Sequence, residues 1–311
     1  MSIQASHATV VASEKPSRRR RRPPVSLQLF MGIMAILVAI AAMFGLSAYR
    51  QTQAVGRLER LGASVGTYEI RPTWLRRGVL GTLTTPLAPV VHVDLEQRLS
   101  QKHDLSDLKS LTFLESVNLV GPEFTDGDLE TLGTVTDLFY LCLIKTDVTD
   151  GGLRHLAGMS RLRLLSLAHS RINGPGLRHL KHLPNLTSLN LLGTSVTDTS
   201  LFELSEFAHL TYLSLARTKI TDVGLKQIEG LTGLENLSLM STDVTDDGLA
   251  RLGRLDNLKS IDLRDTQITD AGLPHLIALQ RLRYVSLIGT KVTDEGATAL
   301  KLALPESVIA R

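Results

Sequence analysis

Leu138-Phe-Tyr-Leu141-Cys-Leu143-Ile-Lys-Thr146-Asp-Val148-Thr149-Asp150-Gly-Gly152-Leu153-Arg-His-Leu156-Ala-Gly-Met159 is one copy of a unit that the chain repeats. Its Thr-Asp step recurs from Thr125, Thr149, Thr197, Thr221, Thr245, Thr269 and Thr293, with Asn173-Gly174 in the place between Thr149 and Thr197. Every interval is 24 residues, and a period of this length marks a solenoid or an array. Eight units fill 114–305. Seven positions per unit are apolar in every copy, and two of them hold Leu throughout, from Leu114 to Leu282 and from Leu119 to Leu287.

Within a unit, Leu141 and Leu143 alternate as one face of a short strand. Leu153, Leu156 and Met159 follow at spacings of three, the stripe of a helix. Asp150, beside Thr149, stands where a helix N-cap is expected to accept the orphan N–H groups of the first turn. Asn173-Gly174-Pro175-Gly176 replaces it with Asn as cap and Pro at the entrance. A hydroxyl recurs at Thr146, Ser170, Thr194, Thr218, Thr242, Thr266 and Thr290, and Pro122 alone departs. Buried, these hydroxyls are expected to bond the backbone of the neighbouring turn as a ladder.

The pattern resembles the leucine-rich-repeat family over about two thirds of the chain, with the hydroxyl in place of the family's asparagine or cysteine. The resemblance implies an α/β fold: a right-handed solenoid with a parallel concave sheet and short convex helices, stacked because one unit cannot bury its own stripe. A degenerate copy at 90–113 keeps Val90, Val93, Leu95, Leu105, Leu108 and Leu111, and reads as a capping unit with a strand from Val91 to Leu95. Ser307-Val308-Ile309, in 306–311, reads as a closing strand.

The formal charge of +3 averages unlike regions. Residues 90–311 hold 22 basic and 28 acidic side chains, so the basic surplus lies before them. Residues 1–24 form a basic tail with Lys15 and Arg18 to Arg22. Pro23 to Tyr49 carries no charge, and 20 of its residues at about 1.5 Å each cover the hydrocarbon layer of about 30 Å. Residues 25–49 are therefore expected to be a transmembrane helix, too long for a signal peptide and without a good cleavage site at Leu46-Ser47-Ala48. Basic residues before it outnumber Arg50, Arg57 and Arg60 after it. This bias places the N-terminus in the cytoplasm and the repeats beyond the cytoplasmic membrane. The arginine run lacks interleaved aromatics and suits lipid headgroups better than nucleic acid.

Residues 50–89 read as a juxtamembrane helix and cap region. Ala54, Val55, Leu58 and Leu61 continue the helix, Gly62 ends it, and 63–70 alternate weakly as a strand. A short helix at 73–80 packs Trp74 on the cap, and 81–89 form a loop. Gln53-Ala-Val-x-x-Leu58-x-x-Leu61-Gly62 followed by Trp74-Leu75-Arg76-Arg77 resembles bacterial single-pass membrane-anchored leucine-rich-repeat proteins, mostly without assigned function.

Outward strand positions follow by arithmetic. The central row is Asn118, Cys142, Ser166, Asn190, Ser214, Ser238, Asp262 and Ser286; all are small and all but Cys142 polar. Two residues earlier, tyrosine recurs every third unit at Tyr140, Tyr212 and Tyr284. Two residues later come Ile144, Leu192, Met240 and Ile288, an apolar stripe that Arg264 interrupts. Tyrosine and exposed carbon suit a protein partner. The expected partner face is Tyr140, Cys142, Ile144, Asn190, Leu192, Tyr212, Arg217, Met240, Asp262, Arg264, Asp265 and Tyr284. Strand propensity alone is the plainer explanation of the same residues.

Asp262, Arg264 and Asp265 read as a local ion pair rather than an acid–base centre. His155, His179 and His275 share one helical position and lack a third metal ligand at suitable spacing. One cysteine excludes an intrachain disulfide. Nucleophile, phosphate-loop and H-E-x-x-H motifs are absent, and the units carry no inserted loops. The expectation is a non-enzyme without metal or cofactor: an extracytoplasmic module that binds a protein or peptide. An envelope scaffold that binds glycan is the alternative, and a cytoplasmic adaptor of ubiquitin-ligase type is a third that the arginine bias opposes.

Overall fold

The computed structural model describes residues 25–67, 90–96 and 104–311. The basic tail 1–24, the expected helix at 73–80 with Trp74, and the loop 81–89 lie outside the described residues. By contacts the chain forms two units, 1–47 and 48–311.

Helix α1 (Val25–Arg60) runs through the boundary between them. In the first unit its apolar side chains, Leu29, Phe30, Met31, Leu37 and Met43 among them, are exposed. By length and composition this helix can cross a membrane. In the second unit its character changes: Ala54 and Leu58 are fully buried, and Arg57 donates to the Asp107 carboxylate from Nε and Nη2, each at 2.6 Å. Gly62, at φ 88°, takes the left-handed conformation that stops the helix where the sequence indicates.

Among the described residues the second unit is built on one eleven-stranded sheet in simple chain order. The strands are β1 (Ser64–Thr67), β2 (Val90–Glu96), β3 (Ser116–Val120), β4 (Tyr140–Ile144), β5 (Leu164–Ser166), β6 (Ser188–Asn190), β7 (Tyr212–Ser214), β8 (Asn236–Ser238), β9 (Ser260–Asp262), β10 (Tyr284–Ser286) and β11 (Val308–Ala310). β1 pairs antiparallel with β2, and all later pairs are parallel. From β2 to β11 every paired residue lies 24 positions from its partner, so each unit position becomes a straight row across the sheet. The helical side alternates between α-helix at α2 (Asp126–Leu132), α3 (Asp222–Ile228), α4 (Asp246–Leu249), α5 (Leu273–Ile277) and α6 (Asp294–Ala303), and 3-10 turns such as Gly152–Leu156, Pro175–His182 and Asp198–Leu204. One or two turns per unit is the length at which 3-10 geometry is common. Leu138, Leu141, Leu143, Val148, Leu153, Leu156 and Met159, the seven apolar positions of one unit, are all fully buried.

Two side-chain ladders differ from expectation. Apart from Thr146, whose Oγ1 has no partner, the buried hydroxyls bond within their own turn: Ser170, Thr194, Thr218, Thr242 and Thr266 each donate to the carbonyl three residues earlier, at 2.5–2.7 Å. Three residues is as far as a short hydroxyl reaches, so this row tightens the bend after each strand and links nothing along the stack. The repeated aspartate, expected to be the N-cap, makes the link between units instead. Thr221, Thr245 and Thr269 are the caps, accepting from N–H groups two residues on. The preceding aspartates reach forward to the next unit: Asp126, Asp198, Asp222, Asp246 and Asp270 each accept from both N–H and Oγ–H of the next unit's threonine at 2.6–2.9 Å.

This clamp explains the glycine 26 residues beyond each clamping aspartate. A Cβ on Gly152, Gly224, Gly248, Gly272 or Gly296 would lie 2.1–2.4 Å from the clamping carboxylate of the unit before. In the unit where Gly174 replaces the aspartate, the facing residue in the next unit is Ser200, whose hydroxyl donates to Asn173 O at 2.9 Å. Where the carboxylate is missing, a side chain fills its place.

Candidate binding face

The sheet face turned away from the core carries the outward rows, and the small central row is more enclosed than expected. Cys142 was expected to face the partner. It belongs to the outward row yet is 2% exposed, and Ser286 is 0% exposed. Strands of three to five residues stacked at about 4.8 Å leave a short side chain below the rims of its larger neighbours. Burial pushes the Cys142 thiol up, against the opposing effect of hydrogen bonds with Tyr140 and Ser166. Tyr140 is half-buried, and burial together with its bond to Cys142 raises its phenol as well.

The larger flanking residues form the accessible surface. Tyr212 is 37% exposed, Tyr284 41% and Ile288 46%, while Ile144, Leu192 and Met240 are half-buried. Arg217 is exposed on the turn after its strand at φ 53°. That turn position is left-handed in all eight units: Gly121, Gly193 and Gly289 adopt it at no steric cost, and Lys145, His169, Arg217, Ser241 and Asp265 bear the strain. It persists because the N–H there joins the next unit, as Lys145 N–H does to Ala168 O at 2.9 Å and Arg217 N–H to Met240 O at 2.7 Å.

Asp262 and Arg264 form the expected local pair. Nε donates to Oδ1 at 2.9 Å, Nη2 to Oδ2 at 2.7 Å, and the Arg264 N–H to Oδ1 at 3.2 Å. Ser238 adds a fourth bond at 3.3 Å. Burial raises the carboxyl, but these bonds outweigh it and hold Asp262 below the usual carboxylate range. Asp265 lies apart, accepting from Ser241 at 3.4 Å. Asn190 donates to Ser166 Oγ and accepts from Leu192 N–H at 3.0 Å. His155 accepts from its chain neighbour, Arg154.

One constellation was missed. At the N-terminal end of this face, His92 Nδ1 lies 2.8 Å from Ser116 Oγ, and Nε2 lies 2.7 Å from Asp94 Oδ2. The register that pairs His92 with Ser116 extends the 24-residue step into the degenerate unit, so counting polar as well as apolar positions there would have found it. Serine, histidine and aspartate in series can relay a proton. Acyl transfer also needs donors aimed at a developing oxyanion, and the backbone around Ser116 is engaged by pairing with β2 and β4. Among the described residues no group of three His, Cys, Asp or Glu could hold a metal ion.

The family model described as Leucine Rich repeat matches residues 208–228 and 256–273. An internalin (inlF) of Listeria monocytogenes is similar in structure, with TM-score 0.50 and 22% identity over 67% of this chain and 70% of that one. Internalin C2 of the same species gives TM-score 0.49 and 21% identity over 69% and 86%. No curated protein matches in sequence. At such identity the likeness is one of fold.

Proposed function

We propose that this chain, whose repeats match the leucine-rich-repeat model over residues 208–228 and 256–273, is a non-enzymatic, membrane-anchored module that binds a protein or peptide on the open face of its sheet. One observation carries the reading: the side chains that rise above the enclosed central row are tyrosines and aliphatic groups, including exposed Tyr212, Tyr284 and Ile288. Such a surface gains contact area at low entropic cost when another chain covers it. The exposed apolar length of α1 supports an anchor, since lipid is the environment that relieves it. With the arginine-rich tail on the cytoplasmic side of the cytoplasmic membrane, the repeats lie outside it. The low aromatic content, 4%, disfavours a glycan scaffold, whose sugars would stack on rings.

Recovery of partners from solubilised membranes tests the binding. The Tyr140→Ala, Tyr212→Ala, Tyr284→Ala triple variant is expected to lose a partner that the parent chain retains; equal recovery would refute the open face as the site. An enzyme reporter fused after Arg311 tests the topology: activity confined to the cytoplasm would reverse it.

A further inference from the structure

We propose that the open face recognises one extended polypeptide laid along the solenoid, through three stations of like residues set 72 residues apart. This rests on the interaction reading above and adds the register of the partner. Along one outward row the residues run Ser116, Tyr140, Leu164, Ser188, Tyr212, Asn236, Ser260, Tyr284, so that Ser then Tyr recurs every third strand. The central row keeps the same step, with Asn118, Asn190 and Asp262 on the serine-bearing strands and only Cys or Ser elsewhere. Pairing sets each serine beside the tyrosine of its station: Ser116 with Tyr140, Ser188 with Tyr212, Ser260 with Tyr284. The local hydrogen bonding recurs at two of the three, since Asn190 and Asp262 each accept from the N–H two residues on, while Asn118 Oδ1 is buried without a partner.

A 72-residue ancestral block would leave its echo on every surface alike. On the helical side it does not: the matched residues Glu130, Phe202 and Pro274 share nothing, nor do Thr131, Glu203 and His275. Off the sheet, Asn185 and Asn257 do correspond, and each bonds a carbonyl of the unit before, Ser160 O and Thr232 O, at 2.8 Å. There the fold itself accounts for the match. At Tyr212 and Tyr284, exposed above the sheet, it does not, which leaves contact with a ligand of the same step.

Three strand spacings of about 4.8 Å separate stations by about 14 Å. An extended chain rises about 3.4 Å per residue and turns alternate side chains to one side, so residues i, i+4 and i+8 meet successive stations. An α-helix covers about 14 Å in between nine and ten residues, about 2.7 turns, and would present a different face to each station. The Ser, Asx and Tyr residues of the stations carry no net charge, because Arg264 neutralises Asp262, although Asp94 stands beside Asn118 at the first of them. Uncharged hydroxyl or amide side chains, hydrogen-bonded to Asx and Ser and covered by the tyrosine ring, fit them.

The test is a random dodecapeptide display library, selected on the full chain in detergent micelles and counter-selected on the Tyr140→Ser, Tyr212→Ser, Tyr284→Ser triple variant. Enriched sequences are expected to fix three uncharged polar residues four apart, and each single Tyr→Ser change should weaken the selected peptide about tenfold. Ser188→Tyr combined with Tyr212→Ser keeps the composition but moves the middle ring by one strand. It should bind no better than Tyr212→Ser alone. Circular dichroism of each variant checks that its fold is intact. Tyrosine-dependent peptides without the four-residue step, or with a helical three-four step, overturn the stations while the interaction reading stands. Failure of any peptide to enrich also overturns them, and binding on a glycan array in place of peptide overturns both.

Discussion

The clamp between units makes Gly248 a sensitive position. In Gly248→Ala the new Cβ would stand 2.2 Å from Asp222 Oδ1, 2.9 Å from Val244 Cγ1 and 3.0 Å from Leu225 Cδ1. The carboxylate cannot retreat freely, because it accepts from Thr245 N–H at 2.8 Å and from Thr245 Oγ–H. Displacing it forfeits charge-assisted hydrogen bonds worth about 1.5–3 kcal/mol. Holding it in place instead overpacks the contact at about 1–3 kcal/mol. Alanine's better helix propensity returns about 1 kcal/mol. The net expectation is a loss of about 0.5–2 kcal/mol, a drop of about 1–8 °C in Tm for a body of this size.

Thermal and urea unfolding measure it, with Gly253→Ala as the control. Gly253 lies in the helical segment of the same unit, and a Cβ there would meet nothing within 4 Å, so alanine should be neutral or stabilising. The pair at Gly174 and Ser200 supplies the rescue: Asp222→Gly should recover part of the loss caused by Gly248→Ser, giving a coupling energy beyond additivity. If Gly248→Ala proves as mild as Gly253→Ala, or the double variant is simply additive, the carboxylate does not govern the glycine and the clamp argument fails.

At the left-handed turn, Gly193→Ala meets both φ 66° and a contact of 2.3 Å with His169 Nδ1, so chemical denaturation should register a loss of about 1–2 kcal/mol. Lys145→Gly relieves strain at φ 56° and should cost nothing or stabilise slightly in the same assay. Cys142, buried with a raised pKa, should react with a thiol reagent at pH 8 only after unfolding; its protonated form is favoured by the fold, so its contribution is complete below the unfolded thiol's pKa and fades as pH climbs through the folded value. Asp262 has the opposite sign: its stabilisation holds above the unfolded carboxyl's pKa and is lost as pH falls through the depressed folded one, and Asp262→Asn should flatten the acid limb of a stability profile. A serine-directed fluorophosphonate should leave the chain unlabelled, and labelling that Ser116→Ala abolished would overturn the non-enzymatic reading.

What the sequence made legible is what periodicity encodes. Leu141 and Leu143 alternate and Leu153, Leu156 and Met159 step by three because each must reach one shared core, so strand, stripe and repeat length follow from one unit. Burial on the outward face was illegible at Cys142 because it depends on what stands 24 residues to either side, which a reading along the chain does not weigh. The aspartate was assigned to the wrong helix for the same reason: Asp222 adjoins the cap Thr221 in sequence, yet its hydrogen bonds go to Thr245. Even so, the repeats carry a sign of the correct pairing. The unit that loses the aspartate, at Gly174, is followed by the unit that loses the glycine, at Ser200. The constraint therefore lies between units, not within one. In a solenoid the informative comparison is between residue n of one copy and residue n+26 of the next, because that is where the fold brings carboxylate and glycine together. The same reasoning gives the tyrosines their weight. A residue shared by every copy answers to the stack, whereas on the proposal above one shared by every third copy answers to a ligand whose own step is three strands wide.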